Sequence, residues 1–213
     1  MTRQFDFWEN HLMINLPLNA NIEILSTPHE RAYLLITSDQ DENLIFEHSN
    51  NTFLAKRKEE SSLYDAIDAV VGLFKRDESS IEKIKALASK SIEVSIKLFV
   101  NKSTIINMKL NSGNISISTD INKLDIKGNS LNIKSDFNIK DANIKINSGN
   151  IMAIAKNNIA SWNISINKGT ATIITDNFDG TIFSKVNNIK KEYLNKNQRV
   201  INIKINSGSL HIS

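Results

Sequence analysis

Ile144-Lys145-Ile146-Asn147-Ser148-Gly149-Asn150-Ile151-Met152-Ala153 decides the fold. Two stretches with an apolar residue at every second position flank a four-residue link. A period of two marks a half-buried strand. A link as short as Asn-Ser-Gly-Asn requires a residue at positive φ, which glycine supplies without a Cβ clash. The stretch therefore reads strand, tight turn, strand. Ile144, Ile146, Ile151 and Ala153 face inward, and Lys145 and Met152 face outward.

Working outward, the same pattern recurs at Met108-Lys-Leu110, Leu124-Asp-Ile126, Ile164-Ser-Ile166 and Ile203-Lys-Ile205. Each is followed by a four-residue link and a second apolar-x-apolar arm. The starting positions 108, 124, 144, 164 and 203 give steps of 16, 20, 20 and 39. The last step is close to two repeats, with Ile182, Val186 and Ile189 as a degenerate copy between. A period near 20 with strand-turn-strand content predicts a β-solenoid, because one unit cannot bury its own apolar stripe and a stack can. Five or six rungs at about 4.8 Å give a column roughly 25 Å tall. The expected structural turn residues are Asn111, Gly113, Gly128, Asn147, Gly149, Gly169, Asn206 and Gly208. Gly128 takes the second place of its link and the other glycines the third. Asn also tolerates positive φ, and stacked Asn side chains form hydrogen-bonded ladders.

The outward positions of the first arm are Lys109, Asp125, Lys145, Ser165 and Lys204, of which Lys109, Lys145 and Lys204 form a candidate surface ladder. Those of the second arm are Ser116, Asn132, Met152, Thr172 and His211. On this alignment Asp125 interrupts the lysines and no aromatic residues accompany them. A phosphate-binding stripe wants several cations with interleaved aromatics, so nucleic acid is not an expected partner.

The remaining sequence frames this repeat. The 213 residues include 33 Ile and 29 Asn, and 23 and 22 of these lie beyond residue 100. Residues 1–100 carry 11 basic and 16 acidic side chains, whereas residues 101–213 carry 15 basic and 7 acidic. An A+T-rich genome raises Ile, Asn and Lys together, which accounts for composition though not for spacing. No apolar run reaches the roughly 20 residues of a membrane span. The chain has no cysteine, which excludes disulfides, a thiolate zinc site and a cysteine nucleophile. Asp6 and Glu9 break the apolar stretch a signal peptide would need, so the expected location is the cytoplasm, or the membrane periphery.

Three segments follow. Residues 1–60 alternate in short runs, as at Phe5 and Phe7, Leu12 to Leu16, Leu34 and Ile36, and Phe53 and Ala55, and predict antiparallel strands. Residues 61–90 change period: Leu63, Ile67, Val70, Val71 and Phe74 predict a helix, and Ile81, Ile84, Leu87 and Ala88 a second. This segment is expected as a helical insertion covering an open sheet edge or end. Residues 91–213 carry the solenoid, led in by the alternating run Ile92 to Val100. The fold class is therefore mostly β, with N-terminal antiparallel strands, a helical insertion and a C-terminal β-solenoid of about five or six rungs.

The Ser-Gly-Asn-Ile and Ser-Gly-Ser-Leu turns after apolar-x-apolar resemble the Gly-Ser-Gly-Asp-Ile repeats of the bacterial DUF4097 family of adhesin-like β-strand-repeat proteins. The lead-in Ser91-Ile-Glu-Val-Ser-Ile-Lys-Leu-Phe-Val100 resembles the strand before the first such turn in that family. The resemblance covers most of the chain. It departs where Asn replaces the first Gly and the Asp of the turn, where Asn101-Lys-Ser stands in place of a proline, and in segment 61–90. It implies a β-solenoid associated with bacterial envelope or stress functions, and it implies no catalytic residues.

Elsewhere the sequence offers little chemistry. His11, His29, His48 and His211 lack metal-ligand spacing. No Walker loop, His-Glu-x-x-His, Gly-x-Ser-x-Gly or dinucleotide glycine pattern occurs. Asp120 with Asp136, and Asp125 with Asp141, each 16 residues apart, would stack on adjacent rungs and supply a carboxylate pair to a polysaccharide-acting enzyme. Trp8 and Trp162 are candidate sugar platforms. No capping segment follows Ile212, so an unpaired strand edge is expected there. The expectation is a non-enzymatic binding or scaffold protein with no cofactor. Its partner would be a protein or cell-envelope component. The first alternative is self-assembly through the open C-terminal edge, and the second a polysaccharide-acting enzyme.

Overall fold

A computed structural model of the chain describes residues 2–39, 41–58, 93–156, 159–175, 178–193 and 199–213. The described residues are mostly β. In chain order the strands are β1 (Thr2–Asp6), β2 (His11–Ser26), β3 (Tyr33–Thr37), β4 (Leu44–His48), β5 (Thr52–Arg57) and β6 (Glu93–Val100). There follow β7 (Ile105–Ile117), β8 (Ile121–Ser135), β9 (Ile139–Ala155), β10 (Ser161–Thr175), β11 (Thr181–Val186), β12 (Ile189–Tyr193) and β13 (Val200–Ile212). All belong to one 13-stranded sheet in the order β1-β3-β6-β2-β7-β8-β9-β10-β13-β11-β12, with β4 on β5 and β5 on β2. The helices expected over residues 61–90 lie outside the described residues.

The repeat strands run parallel, with equivalent residues side by side. β9 and β10 pair Ile144 with Ile164, Ile146 with Ile166 and Gly149 with Gly169. β10 and β13 pair the same column onward to Ile203, Ile205 and Gly208. The offset is 18 residues from β7 to β8 and again from β8 to β9, then 20, then 39. The first two steps differ from the 16 and 20 expected from sequence. Met108 lies beside Ile126, not Leu124, and Leu124 lies beside Ile106.

The cause of the shift is visible at two residues. In β8 the small residue stands at an inward position, where Gly128 aligns with Leu110 and Ile146. The large residue, Leu131, aligns with Gly113 and Gly149 and is 1% exposed. A Cβ on Gly128 would lie 2.4 Å from Leu131 Cδ1, so the glycine vacates the volume that the leucine fills. Gly113, Gly149, Gly169 and Gly208 have positive φ, as their links require, and Gly128 is not among them.

The stack extends into the N-terminal segment. β2 pairs with β7 in parallel along both arms, Leu12 to Ile106 through Leu16 to Leu110, then Ala20 to Gly113 through Ile24 to Ile117. Pro17 and Leu18 make its corner, where the register shifts. On the far side of β2, β5 pairs with Met13–Asn15 and β6 with Asn19–Ser26, both in parallel. Thus β5 and β6 match the two arms of one further unit. Parallel pairing corrects the expectation of a purely antiparallel N-terminal region. The antiparallel pairs there are β1 with β3, β3 with β6 and β4 with β5.

The core is the inward column of these strands. Ile106, Leu124, Ala142, Trp162 and Ile201 form one row across the sheet, and Met108, Ile126, Ile144, Ile164 and Ile203 the next. All ten are at most 5% exposed. Each Ile, Leu or Met among them stabilises the fold by roughly 1.5–3 kcal/mol relative to an exposed position. Trp162 is buried opposite the small Ala142, and its indole N–H donates to the Ile139 carbonyl at 2.7 Å. It is a core residue and not a sugar platform.

Candidate functional site

The outward side chains of the first arm form two adjoining rows. One row runs Lys109, Lys127, Lys145, Ser165, Lys204, Lys185, Lys190 across β7, β8, β9, β10, β13, β11 and β12. The candidate ladder Lys109, Lys145 and Lys204 is brought into this single row. Asp125 is not in it. The 18-residue offset moves Asp125 into the neighbouring row, beside Asn107 and Asn143, and puts Lys127 between Lys109 and Lys145. The interruption expected from the sequence is therefore absent. The apolar pattern alone aligns Leu124 with Met108, which hides Lys127 from the row. The constant spacing of 18 in Lys109, Lys127 and Lys145 carries the correct register.

The second row runs Asn107, Asp125, Asn143, Asn163, Asn202, Phe183, Glu192. Its amides bond along the stack. Asn143 Nδ2 donates to Asp125 Oδ2 at 3.0 Å, and Asn202 Nδ2 donates to Asn163 Oδ1 at 3.1 Å. The β11–β12 hairpin turns through Asn187 and Asn188, both at positive φ, and forms one wall of a groove over this face. The groove holds about 660 Å³ and is lined by Lys145, Ser165, Phe183, Lys185, Lys190 and Lys204, among others. None of these four lysines has an ion-pair partner among the described residues.

The hairpin is held in place by an amide clamp. Asn187 Nδ2 donates to the Gly208 carbonyl at 3.0 Å, and the Gly208 N–H donates to Asn187 Oδ1 at 3.1 Å. The side-chain amide thereby occupies both backbone groups of the corner glycine, as a further unit's peptide would. This clamp could not be read from the sequence, because Asn187 and Gly208 are 21 residues apart and share no repeat position.

The second arm presents a different face. Asn114 donates to Asn21 at 2.8 Å, Asn132 to Asn114 at 3.1 Å and Asn150 to Asn132 at 3.1 Å. At the corners, Asn129 donates to Asn111, Asn167 to Asn147 and Asn206 to Asn167, each at 3.0 Å. The link asparagines Asn111, Asn147 and Asn206 thus serve as rungs of a side-chain ladder and are not at positive φ.

The remaining candidates do not converge. Among the described residues no group of three or more His, Asp and Glu could hold a metal ion. Asp125 does not stack on Asp141, which lies beside Lys123. Asp136 pairs with Lys134 at 3.2 Å, and Asp120 accepts the Asn138 N–H at 3.1 Å. His48 packs against Phe5 and Phe7, and His11 contacts the Asn107 amide. Trp8 is exposed, with the Arg31 guanidinium 3.8 Å above its ring. No helix among the described residues is long and apolar enough to cross a membrane.

No family model matches the chain, and neither does any curated relative. Among solved structures it is similar to a "putative cell adhesion protein" from Clostridium sporogenes, at 14% identity and a TM-score of 0.46, covering 100% of this chain and 99% of that one. It is also similar to a "putative adhesin" from Bacteroides fragilis, at 10% identity and a TM-score of 0.40, with 100% and 96% covered. A "putative lipid binding protein" from Parabacteroides distasonis matches at 13% identity and a TM-score of 0.37, with 100% and 94% covered. At such scores the reading of function rests on this chain's own residues.

Proposed function

We propose that the chain is a non-enzymatic β-solenoid that binds or scaffolds through its outward faces, adhesin-like and associated with the bacterial cell envelope. The coiled form follows from link lengths. β7 has 13 residues and would span roughly 40 Å if straight. Residues 118–120 must return the chain to the start of β8, yet four peptide steps reach only about 14 Å. A parallel neighbour is then attainable only if each strand doubles back at its four-residue link, Asn111–Asn114 in β7. The observation that carries the binding role is the unbroken alignment of outward residues across consecutive strands. Such a stack gives a long surface of repeated chemistry, which suits an extended partner. The carboxylates an enzyme would recruit are spread apart and engaged by neighbours. The envelope association rests on the DUF4097 resemblance of the turns. Retention of the purified protein on cell-wall and membrane fractions of a low-G+C bacterium tests it. Retention above that of heat-denatured protein is expected, and none would contradict the reading.

A second reading, self-assembly, is favoured by one observation. β11 covers the outer side of β13 only from Val200 to Ile205. Among the described residues no strand covers Ser207–Ile212 on that side. Past Gly208, whose N–H and C=O bond the Asn187 amide, the backbone of Ser209–Ile212 is on this side a template for another strand.

A further inference from the structure

We infer that the groove under the β11–β12 hairpin, continued by the lysine row, binds a linear acidic glycan. This rests on the binding reading above and names its ligand class. Five lysines, Lys145, Lys185, Lys190, Lys191 and Lys204, line one groove of about 660 Å³, and Glu192 is the carboxylate among its lining residues. Lys127 and Lys109 extend the same row over β8 and β7. From Lys109 to Lys190 the row crosses seven strands, roughly 29 Å at about 4.8 Å per strand. Such a row is electrostatically complementary to an extended anionic chain and not to a compact anion. Successive strands are spaced by about the length of one sugar residue in a glycan chain, so one repeat of the protein meets one repeat of the ligand.

The neighbouring row selects a sugar among polyanions. Asn143, Asn163 and Asn202 present amide donors and acceptors beside the lysines, suited to ring hydroxyls. Phe183 follows Asn202 in that row, ahead of Glu192, and is 43% exposed, a large apolar ring left at the groove surface. A single aromatic serves as a platform for one pyranose face. Single-stranded nucleic acid would want an aromatic for each of several successive bases, and this row offers one. An anionic bilayer would want an apolar flank of several exposed side chains beside the cations, whereas this row exposes one, Phe183, among amides.

The test is calorimetric titration of the full chain with oligogalacturonate, with neutral oligogalactose, a 20-nucleotide oligo-dT and phosphatidylglycerol vesicles as comparison probes. Oligogalacturonate is expected to bind, more weakly as salt rises, and at least tenfold more tightly than any comparison probe. The triple variant Lys145→Gln, Lys185→Gln, Lys204→Gln should lose at least tenfold in affinity. A charge-matched control with Lys97→Gln, Lys102→Gln and Lys134→Gln, exposed lysines away from the row, should lose less than threefold. Phe183→Ala should weaken the glycan severalfold while leaving the salt dependence unchanged. Circular dichroism melting confirms that each variant is folded, and the single variants Lys185→Gln and Lys204→Gln replace the triple one if it is not. Equal losses in the two triple variants, no binding of oligogalacturonate, or tighter binding of DNA or vesicles would overturn the inference. If the groove variant still binds the envelope fraction like wild type, the inference fails and the binding reading stands.

Discussion

At Gly149 two requirements coincide. Its φ of 128° is one that residues with a side chain rarely adopt. A Cβ built there would lie 1.8 Å from the Leu131 carbonyl oxygen, so the adjoining strand's backbone occupies the space. Gly128 is different, because its Cβ would first meet the movable end of Leu131. Gly149→Val is therefore expected to destabilise the fold by more than about 3 kcal/mol. Gly128→Ala should cost less, about 1–2 kcal/mol, through overpacking. Thermal melting compares the two, and a Gly149→Val melting temperature equal to that of wild type would show that the corner assignment is wrong. The glycines of the links were legible in the sequence because each follows an Asn-Ser or Asn-Lys at the same place. The role of Gly128 was not, since a small residue at an inward position leaves no apolar mark to count.

Among the elements, the strands differ in how openly they show their register. β9, β10 and β13 share an Asn-x-Gly corner flanked by apolar-x-apolar arms, and their alignment is plain in the sequence. β8 carries Leu124 and Ile126 followed by Gly128, so two alignments fit the apolar pattern equally well. In the core, packing against Leu131 separates them. β2 was hidden for another reason. Its corner is Pro17-Leu18 without glycine, and 93 or 94 residues separate it from its partners in β7. The asparagines, by contrast, carried the answer at a spacing of 18, from Asn111 to Asn129 and from Asn114 to Asn132 to Asn150. Side-chain amides bond to their like only when strands are in register. The outer edge of β13 at Ser209–Ile212 belongs to this scale too. If it is a docking strand, two copies pair antiparallel about a twofold axis. Light scattering over a hundredfold concentration range should then show a shift from monomer to dimer, and a constant monomer mass would refute self-assembly through this edge.

The whole molecule combines a constant core with an outward surface that changes from arm to arm. The apolar columns and the amide ladders set the stack. The first arm then carries lysines, whereas the second carries Glu23, Ser116, Lys134, Met152, Thr172 and His211 in one row. The basic excess beyond residue 100 thereby acquires a place. Part of it is collected into one row by the 18-residue offset, and a 16-residue offset would break that row with Asp125. Everything argued about the lysine face depends on this register, and the absence of cysteine makes the register directly measurable. In the double variant Lys127→Cys, Lys145→Cys the two residues are direct neighbours on β8 and β9. Their Cα atoms are then about 4.8 Å apart, within disulfide reach. In Asp125→Cys, Lys145→Cys the residues are displaced by two positions, about 7–8 Å. Oxidation of the native proteins followed by peptide mapping is expected to give an intramolecular disulfide in the first pair and free thiols in the second. A disulfide in the second pair and none in the first would contradict the register and the lysine face built on it.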